Sequence, residues 1–449
     1  MYERVETESQ SQTRARAFLI GLAASACLAV SSVARSETPT NEELARRIDA
    51  LAAEFDDREH GPASQELGSH HGFGPAASKV YGVDRGFSFG GYGEMVYNNF
   101  AAQDESRAPS GSRDRIDFLR QILYVGYKFD DRLVFNAEIE FEHASTGEAG
   151  EVSVEFAQID FMVAPAINAR AGLLLVPMGF VNELHEPPVF LGVNRPVVER
   201  IVIPTTWRAN GVGAFGEPEG SLEGLEYRAY VIESLVSGGD PSGPRFTDAG
   251  LRAGRQAGSE ALAEDFAGVV RADYERAGIR AGGSVFFGNT SQKARVDTGA
   301  SPQSYGAFTT IYEAHAQFRN RGLQLRGLVA GAQVGDAGMI NAANGYTGSA
   351  SVGSSLLGWY LELGWDVLTT LQPGSRFALT PYVRYSEVDT QHDVPSGFTS
   401  NPANDQRIAT FGVAWYPHAQ VVVKADYALH RNQAKTGVDQ WNLGLGYLF

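Results

Sequence analysis

The sequence predicts an all-β chain, a 16-stranded antiparallel transmembrane β-barrel with a short N-terminal periplasmic coiled-coil helix. Three observations carry that expectation. From about Gly86 to Phe449 the apolar residues recur with a period of two. The alternating segments mostly run about 10 to 13 residues, longer than a typical strand and long enough to cross a bilayer at a tilt. The links between them alternate between long and short, as in an up-and-down barrel whose turns differ at its two ends. A soluble sandwich shares the alternation but has no reason for asymmetric links.

Residues 1–34 read as a secretory signal. Arg14 and Arg16 precede the apolar run Ala17 to Val30, and Ser32-Val33-Ala34 supplies small residues for cleavage. Ala24-Ser25-Ala26-Cys27 weakly resembles a lipoprotein box, but Leu28-Ala29-Val30 carry the apolar run past it. Cleavage after Ala34 removes three arginines and three glutamates, so the formal charge stays at −16. It also removes Cys27, the only cysteine, which leaves no disulfide, thiolate metal site or cysteine nucleophile.

Residues 35–60 hold one helix. Leu44, Ile48, Leu51 and Phe55 are spaced four, three and four apart, a coiled-coil seam, and Thr40 with Glu43 forms a capping box. Two heptads are marginal alone, so the helix is expected to need identical neighbours. Residues 61–85 are rich in Ser, Gly, His and Pro and read as a flexible linker, with His70 and His71 as a solvated pair.

The barrel follows over residues 86–449. Strands are expected near 86–98, 115–128, 133–142, 151–163, 167–176, 208–216, 222–233, 265–275, 279–288, 307–318, 323–334, 356–369, 376–387, 406–416, 420–430 and 439–449. Leu133, Phe135, Ala137, Ile139 and Phe141 alternate with Val134, Asn136, Glu138, Glu140 and Glu142. Leu357, Trp359, Leu361, Leu363, Trp365 and Val367 alternate with Gly358, Tyr360, Glu362, Gly364 and Asp366. In a strand each set takes one face. Phe449 closes the last alternating strand.

Composition excludes several functions. An acidic chain of pI near 5.1 lacks the basic surface that nucleic acid requires. Mean hydropathy is −0.20, and beyond the N-terminus no run of apolar residues is long enough for a spanning helix. Gly211-Val212-Gly213-Ala214-Phe215-Gly216 matches a dinucleotide pattern by letters, but Glu217-Pro218-Glu219-Gly220 is a turn, not the helix a phosphate needs. Glu183-Leu184-His185-Glu186 has metal-capable groups but runs into Pro187-Pro188, which denies them one helical face. No catalytic set, cofactor site or metal site is expected.

The polar face is charged. Arg170, Arg228, Arg280, Arg326, Arg384 and Lys424, with Glu138 and Glu140, fall opposite the apolar sets of their strands. Charge on that scale suits a water-filled lumen better than a dry core. The link from Pro177 to Trp207 is expected to fold inward as a constriction, pinned by Val189, Phe190, Leu191, Val197 and Val198. It would bring Glu183, His185, Glu186, Arg195, Glu199 and Arg200 to the narrowest level. Three glutamates against two arginines imply weak cation preference or near-indifference.

Val176 to Gly216 and Gly254 to Tyr274, together with the order coiled coil, linker, barrel, resemble the phosphate-selective porin O and P family. The resemblance implies a trimeric, 16-stranded passive channel of the bacterial outer membrane, embedded in its lipid and passing small hydrophilic solutes or ions, phosphate and other anions among them. The acidic balance of the strand carrying Glu138, Glu140 and Glu142 points away from phosphate preference. The alternative is a structural barrel that tethers the envelope through its N-terminal coil.

Overall fold

The computed structural model describes residues 68–144, 150–240, 242–297 and 301–449. The signal segment, the coiled-coil helix and residues 61–67 lie outside the described residues.

Sixteen antiparallel strands close into one barrel. They are β1 Gly86–Phe100, β2 Arg115–Lys128, β3 Leu133–Glu142, β4 Val152–Ala164, β5 Ile167–Leu175, β6 Arg208–Gly216, β7 Leu225–Glu233 and β8 Phe266–Arg276, then β9 Ile279–Asn289, β10 Phe308–Asn320, β11 Leu323–Val334, β12 Ser355–Trp365, β13 Ala378–Asp393, β14 Asp405–His418, β15 Val421–Asn432 and β16 Gln440–Leu448. Each strand pairs with its neighbours in sequence, and β1 closes on β16 from Tyr92 against Leu448 to Phe100 against Gln440. Phe449 extends that seam, since its N–H donates to the Gly91 carbonyl at 2.8 Å and its carbonyl accepts the Gly91 N–H at 3.0 Å. A small hairpin, Arg295–Asp297 with Pro302–Ser304, decorates the link after β9.

The strands fall close to where the alternation placed them, with local differences at their ends: β7 starts at Leu225, after a 3-10 turn over Gly220–Leu222, and β13 runs past 387 to Asp393. The apolar run through Val367 leaves the sheet at Trp365, because the Asp366 carboxylate caps the N–H groups of Leu368 and Leu379. A single helical turn, Leu368–Leu371, results.

The alternation is inverted relative to a soluble protein. On β12, Trp359, Leu361, Leu363 and Trp365 face outward, and Leu361 is 50% exposed, while Glu362 between them is 4% exposed. Trp441 and Leu443 repeat this on β16, around a buried Asn442. Aromatic pairs stand on that outer surface, Tyr127 with Phe129 at 4.9 Å and Tyr427 with Trp441 at 4.7 Å. A closed sheet with apolar residues outside and polar ones inside leaves no edge and buries its outer band in lipid. The chain is a β-barrel of the bacterial outer membrane.

The apolar core sits inside the barrel. Val176, Met178, Val181, Val198, Val202, Ile203 and Trp207, from the link after β5, pack against Ile232, Phe286 and Tyr360 of the wall. Phe246 and Leu251 of the link after β7 and Ile340 of the link after β11 join the same cluster. Long links thus fold inward at one end, and tight turns join the strands at the other.

Candidate functional site

The loop from Pro177 to Trp207 lies inside the barrel and reaches walls on several sides. Asn182 staples its two ends: its side-chain amide donates to the carbonyls of Val176 and Trp207, and its carbonyl accepts the Trp207 N–H. The Val189 carbonyl meets Arg326 on β11, the Pro188 carbonyl meets Tyr416 on β14, and the Val193 N–H donates to Asp426 on β15 at 2.8 Å. Leu191 packs among Tyr382, Ala414, Tyr416 and Val422. The wall makes room with glycine: a Cβ at Gly446 would stand 2.3 Å from Pro187, and one at Gly364 would stand 2.5 Å from Leu191. These are inward positions of β16 and β12, so the glycines that interrupt the alternation mark where the loop comes closest.

The six charged loop residues have distinct fates. Glu183 sits 3.2 Å from Arg228 and 3.7 Å from Arg271. His185 places Nε2 3.1 Å from Glu138 and Nδ1 3.1 Å from the Asn182 carbonyl. Burial, reinforced by Arg195 and Arg120, pushes its imidazole down to about 3. Glu186 is 1% exposed, and burial pushes its carboxyl up to about 8 against the opposing pull of two backbone N–H donors. Glu199 accepts the Val181 N–H and the Tyr360 hydroxyl, both at 2.6 Å, and burial raises its pKa. Arg195 stands near Glu138 and Glu140, and its buried Nη2 has no hydrogen-bond partner among the described residues. Arg200 is exposed.

The wall residues singled out from sequence all face the interior, most of them buried and paired, while Arg280 and Arg326 are half-buried and border cavities. Arg170 holds Asp160 through two contacts of 2.8 Å and lies between the rings of Phe73 and Phe215. Arg228 contacts Asp273 at 2.9 Å and Glu226 at 3.0 Å, and Arg280 contacts Glu226 at 2.9 Å. Arg384 pairs with Glu362 at 3.2 Å and donates to the Asn194 carbonyl. Arg326 donates to Gln317 and lies over Phe180. Lys424 donates to the Gly192 carbonyl at 2.9 Å over the Phe190 ring. Glu140 meets Arg120 at 3.3 Å, and Glu138 meets His185. A charge withdrawn from water needs an opposite charge or a hydrogen bond, and neighbouring strands with the inserted loop supply both.

Sequence reasoning missed a chain of interior groups on β8 and β10. Arg271 and Asp273 are 2.7 Å apart, His315 bridges Asp273 and Glu313 at 2.7 Å each, and Arg271 also donates to the Gly179 carbonyl. Their signal was available: Arg271 and Asp273 share the inward register that singled out Arg228.

Residues 68–85 also differ from the flexible linker expected. Phe73, Ala76, Ala77 and Val80 are buried. Arg170 donates to the His71 carbonyl, and the His71 Nδ1 lies 3.1 Å from Glu217, so this histidine is anchored, not freely solvated. The segment folds back against the interior because Gly72, Gly74, Ala76 and Ala77 let backbone approach buried carboxylates.

At the tight-turn end lies a cavity of about 1050 Å³, lined by His71, Gly72, Phe180, Glu183, Arg228, Arg271, Asp273 and Arg280. A second, of about 400 Å³, shares Ser69, Phe180, Leu184, Arg271 and Arg280 with it and extends to Arg326 and Tyr416. Together they form a vestibule beneath the loop, walled by ion pairs.

No family model matches the sequence. A protein of Aquifex aeolicus (strain VF5), described as an uncharacterized protein, is 34% identical over 390 residues, covering 84% of this chain and 83% of that one. The chain belongs to one family with that protein. Among solved structures, OmpF of Salmonella typhi in complex with daunomycin matches 82% of this chain and 98% of its own, with TM-score 0.50 and 13% identity. The outer membrane channel DcaP of Acinetobacter baumannii matches 81% of this chain and 97% of its own, with TM-score 0.49 and 11% identity. At 13% identity the likeness to OmpF is one of fold.

Proposed function

We propose that this chain is a porin, a passive diffusion channel for small hydrophilic solutes or ions. The observation that carries the reading is the loop Pro177–Trp207, held within a closed membrane barrel by contacts to β11, β14 and β15. A loop that narrows a lumen and sets charge at its narrowest level is how a barrel selects solutes by size and sign. The polar vestibule on the tight-turn side gives such a path an exit.

A homotrimer is the assembly we assign to it, supported by the resemblance of the chain to the phosphate-selective porins. Deleting residues 35–60 is expected to weaken the oligomer in detergent and leave the barrel folded; unchanged heat resistance of the oligomer would count against the assignment. Strong phosphate preference is not part of the proposal, because Arg170, Arg228, Arg280 and Arg384 each have a carboxylate partner.

The pairing of so many interior charges also favours a second reading, a structural barrel without a conducting path. Planar-bilayer recording on the purified, folded chain separates the two. Discrete conductance steps support the channel, and their absence supports the structural barrel.

A further inference from the structure

We infer that residues 68–82 form a second constriction, a strap on the tight-turn side that sets the size limit of the channel. The inference rests on the channel reading above and adds an element to it.

The strap is seated on the loop. Its backbone passes so close to two loop carboxylates that a side chain on it would have to displace them. A Cβ at Gly72 would stand 2.2 Å from Arg228 Nη1 and 2.6 Å from Glu183, and one at Gly74 would stand 2.6 Å from Glu186. Gly72 has a φ of +85°, a backbone conformation that a β-branched side chain resists. Beyond it, the Ala76 and Ala77 N–H groups donate to Glu186 at 3.0 and 3.2 Å, and Asn136 on β3 donates to the Ala77 carbonyl at 2.9 Å.

The strap is also wedged against the wall. Phe73 is 2% exposed, with its ring 4.9 Å from Phe156 and under the Arg170 guanidinium at 4.6 Å. The Tyr81 hydroxyl donates to Asp160 at 2.6 Å, so one carboxylate holds both Arg170 and the end of the strap.

Position gives the strap its consequence. Ser69 borders both cavities of the vestibule, His71 and Gly72 line the larger, and His70 and Pro75 line the smaller. A solute leaving the underside of the loop therefore passes the strap before the tight-turn mouth. Two narrow elements in series add their resistances, and the narrower decides which solutes cross. Contacts made by a few backbone groups and two side chains, Phe73 and Tyr81, can be broken without touching a strand.

The test uses the full chain, purified and folded, in planar bilayers and in liposomes swollen with sugars of increasing size. The variant Gly72→Val with Gly74→Val is designed to unseat the strap by crowding Arg228, Glu183 and Glu186, and Phe73→Ala removes the wedge by a different route. Heat-modified gel mobility reports which variants hold a folded barrel. We expect single-channel conductance to rise roughly two- to threefold and larger sugars to enter, as when a series constriction is removed. Wild-type conductance and an unchanged sugar limit in a folded variant would overturn the strap. Channels missing from the wild-type chain as well would overturn the channel reading itself, a different outcome from a wild type that conducts and variants that match it.

Discussion

The carboxylate of Glu186 accepts the backbone N–H of Ala76 at 3.0 Å, across 110 positions of sequence. One is the middle of the loop that enters the barrel from the long-link end, and the other is the middle of the strap on the tight-turn side. The contact makes the two narrowing elements one unit, and it contains a titratable group.

Seating the strap should therefore depend on pH. In the seat the Glu186 carboxyl titrates at about 8, chiefly because it is buried; released into water it returns toward 4.5. The groups facing it are Glu138 on β3, Tyr124 on β2 and Lys79 on the strap, of which Glu138 raises it and Lys79 lowers it. Seating then takes up a proton between those two values. The raised carboxyl supports the seated form fully below about pH 4.5 and loses that support as pH rises toward about pH 8. Conductance should climb across that window and level off above it, and Glu186→Gln should flatten the profile. An equally steep profile in the glutamine variant would assign the titration elsewhere.

Arg170 and Asp160 make a deeply enclosed wall pair, 3% and 1% exposed in their side chains. Asp160→Asn strands a buried guanidinium and takes the partner of Tyr81 with it, and should cost about 3–5 kcal/mol. Replacing both partners, Asp160→Leu with Arg170→Met, should recover most of that. Urea unfolding of the barrel in lipid vesicles measures both, and a single variant as stable as wild type would show the pair to be dispensable.

How much of this was legible in the sequence follows from the range of each signal. Strands were readable because lipid demands an apolar side chain at every second position, as Trp359, Leu361 and Leu363 show, and that rule is local. The entry of the loop was readable because Phe190, Leu191 and Val198 have no use in water. The strap was not readable. Its contacts to Glu186 are backbone N–H groups, which leave no residue signature, and its glycines and alanines have the composition of a linker. Phe73, an aromatic residue in a small-residue stretch, was the one hint. The state of the wall charges was hidden as well, since Arg228 and Glu183 meet only once the loop is in place.

Close approach of loop to wall gives a prediction for Gly446. Its missing Cβ would stand 2.3 Å from the Pro187 Cβ, so Gly446→Val must push the loop away from β16. We expect a loss of about 1–3 kcal/mol from overpacking, read as a lower temperature for heat modification on gels. The control, Gly338→Ala, meets nothing nearer than 3.8 Å and should behave as wild type.

Ion selectivity is where the structure changes the expectation most. Counting loop residues gave three glutamates against two arginines and implied a weak cation preference. The glutamates are silenced in place: Glu183 is paired with Arg228, Glu186 holds a proton below about pH 8, and Glu199 is buried and hydrogen-bonded. Arg195 has no hydrogen-bond partner on its buried Nη2 among the described residues, Arg200 is exposed, and Arg252 and Arg255 are bound to the foot of the loop through the Thr205 carbonyl. The field at the constriction should then be mildly positive, and permeation should favour anions weakly. Reversal potentials under a potassium chloride gradient test this best near 0.1 M salt, where screening extends over only about 10 Å. Arg195→Gln with Arg200→Gln should move the reversal potential toward zero or to the cation side. A wild-type channel that strongly prefers cations would mean that Glu183, Glu186 and Glu199 are ionised and unpaired during conduction, with the loop in another position.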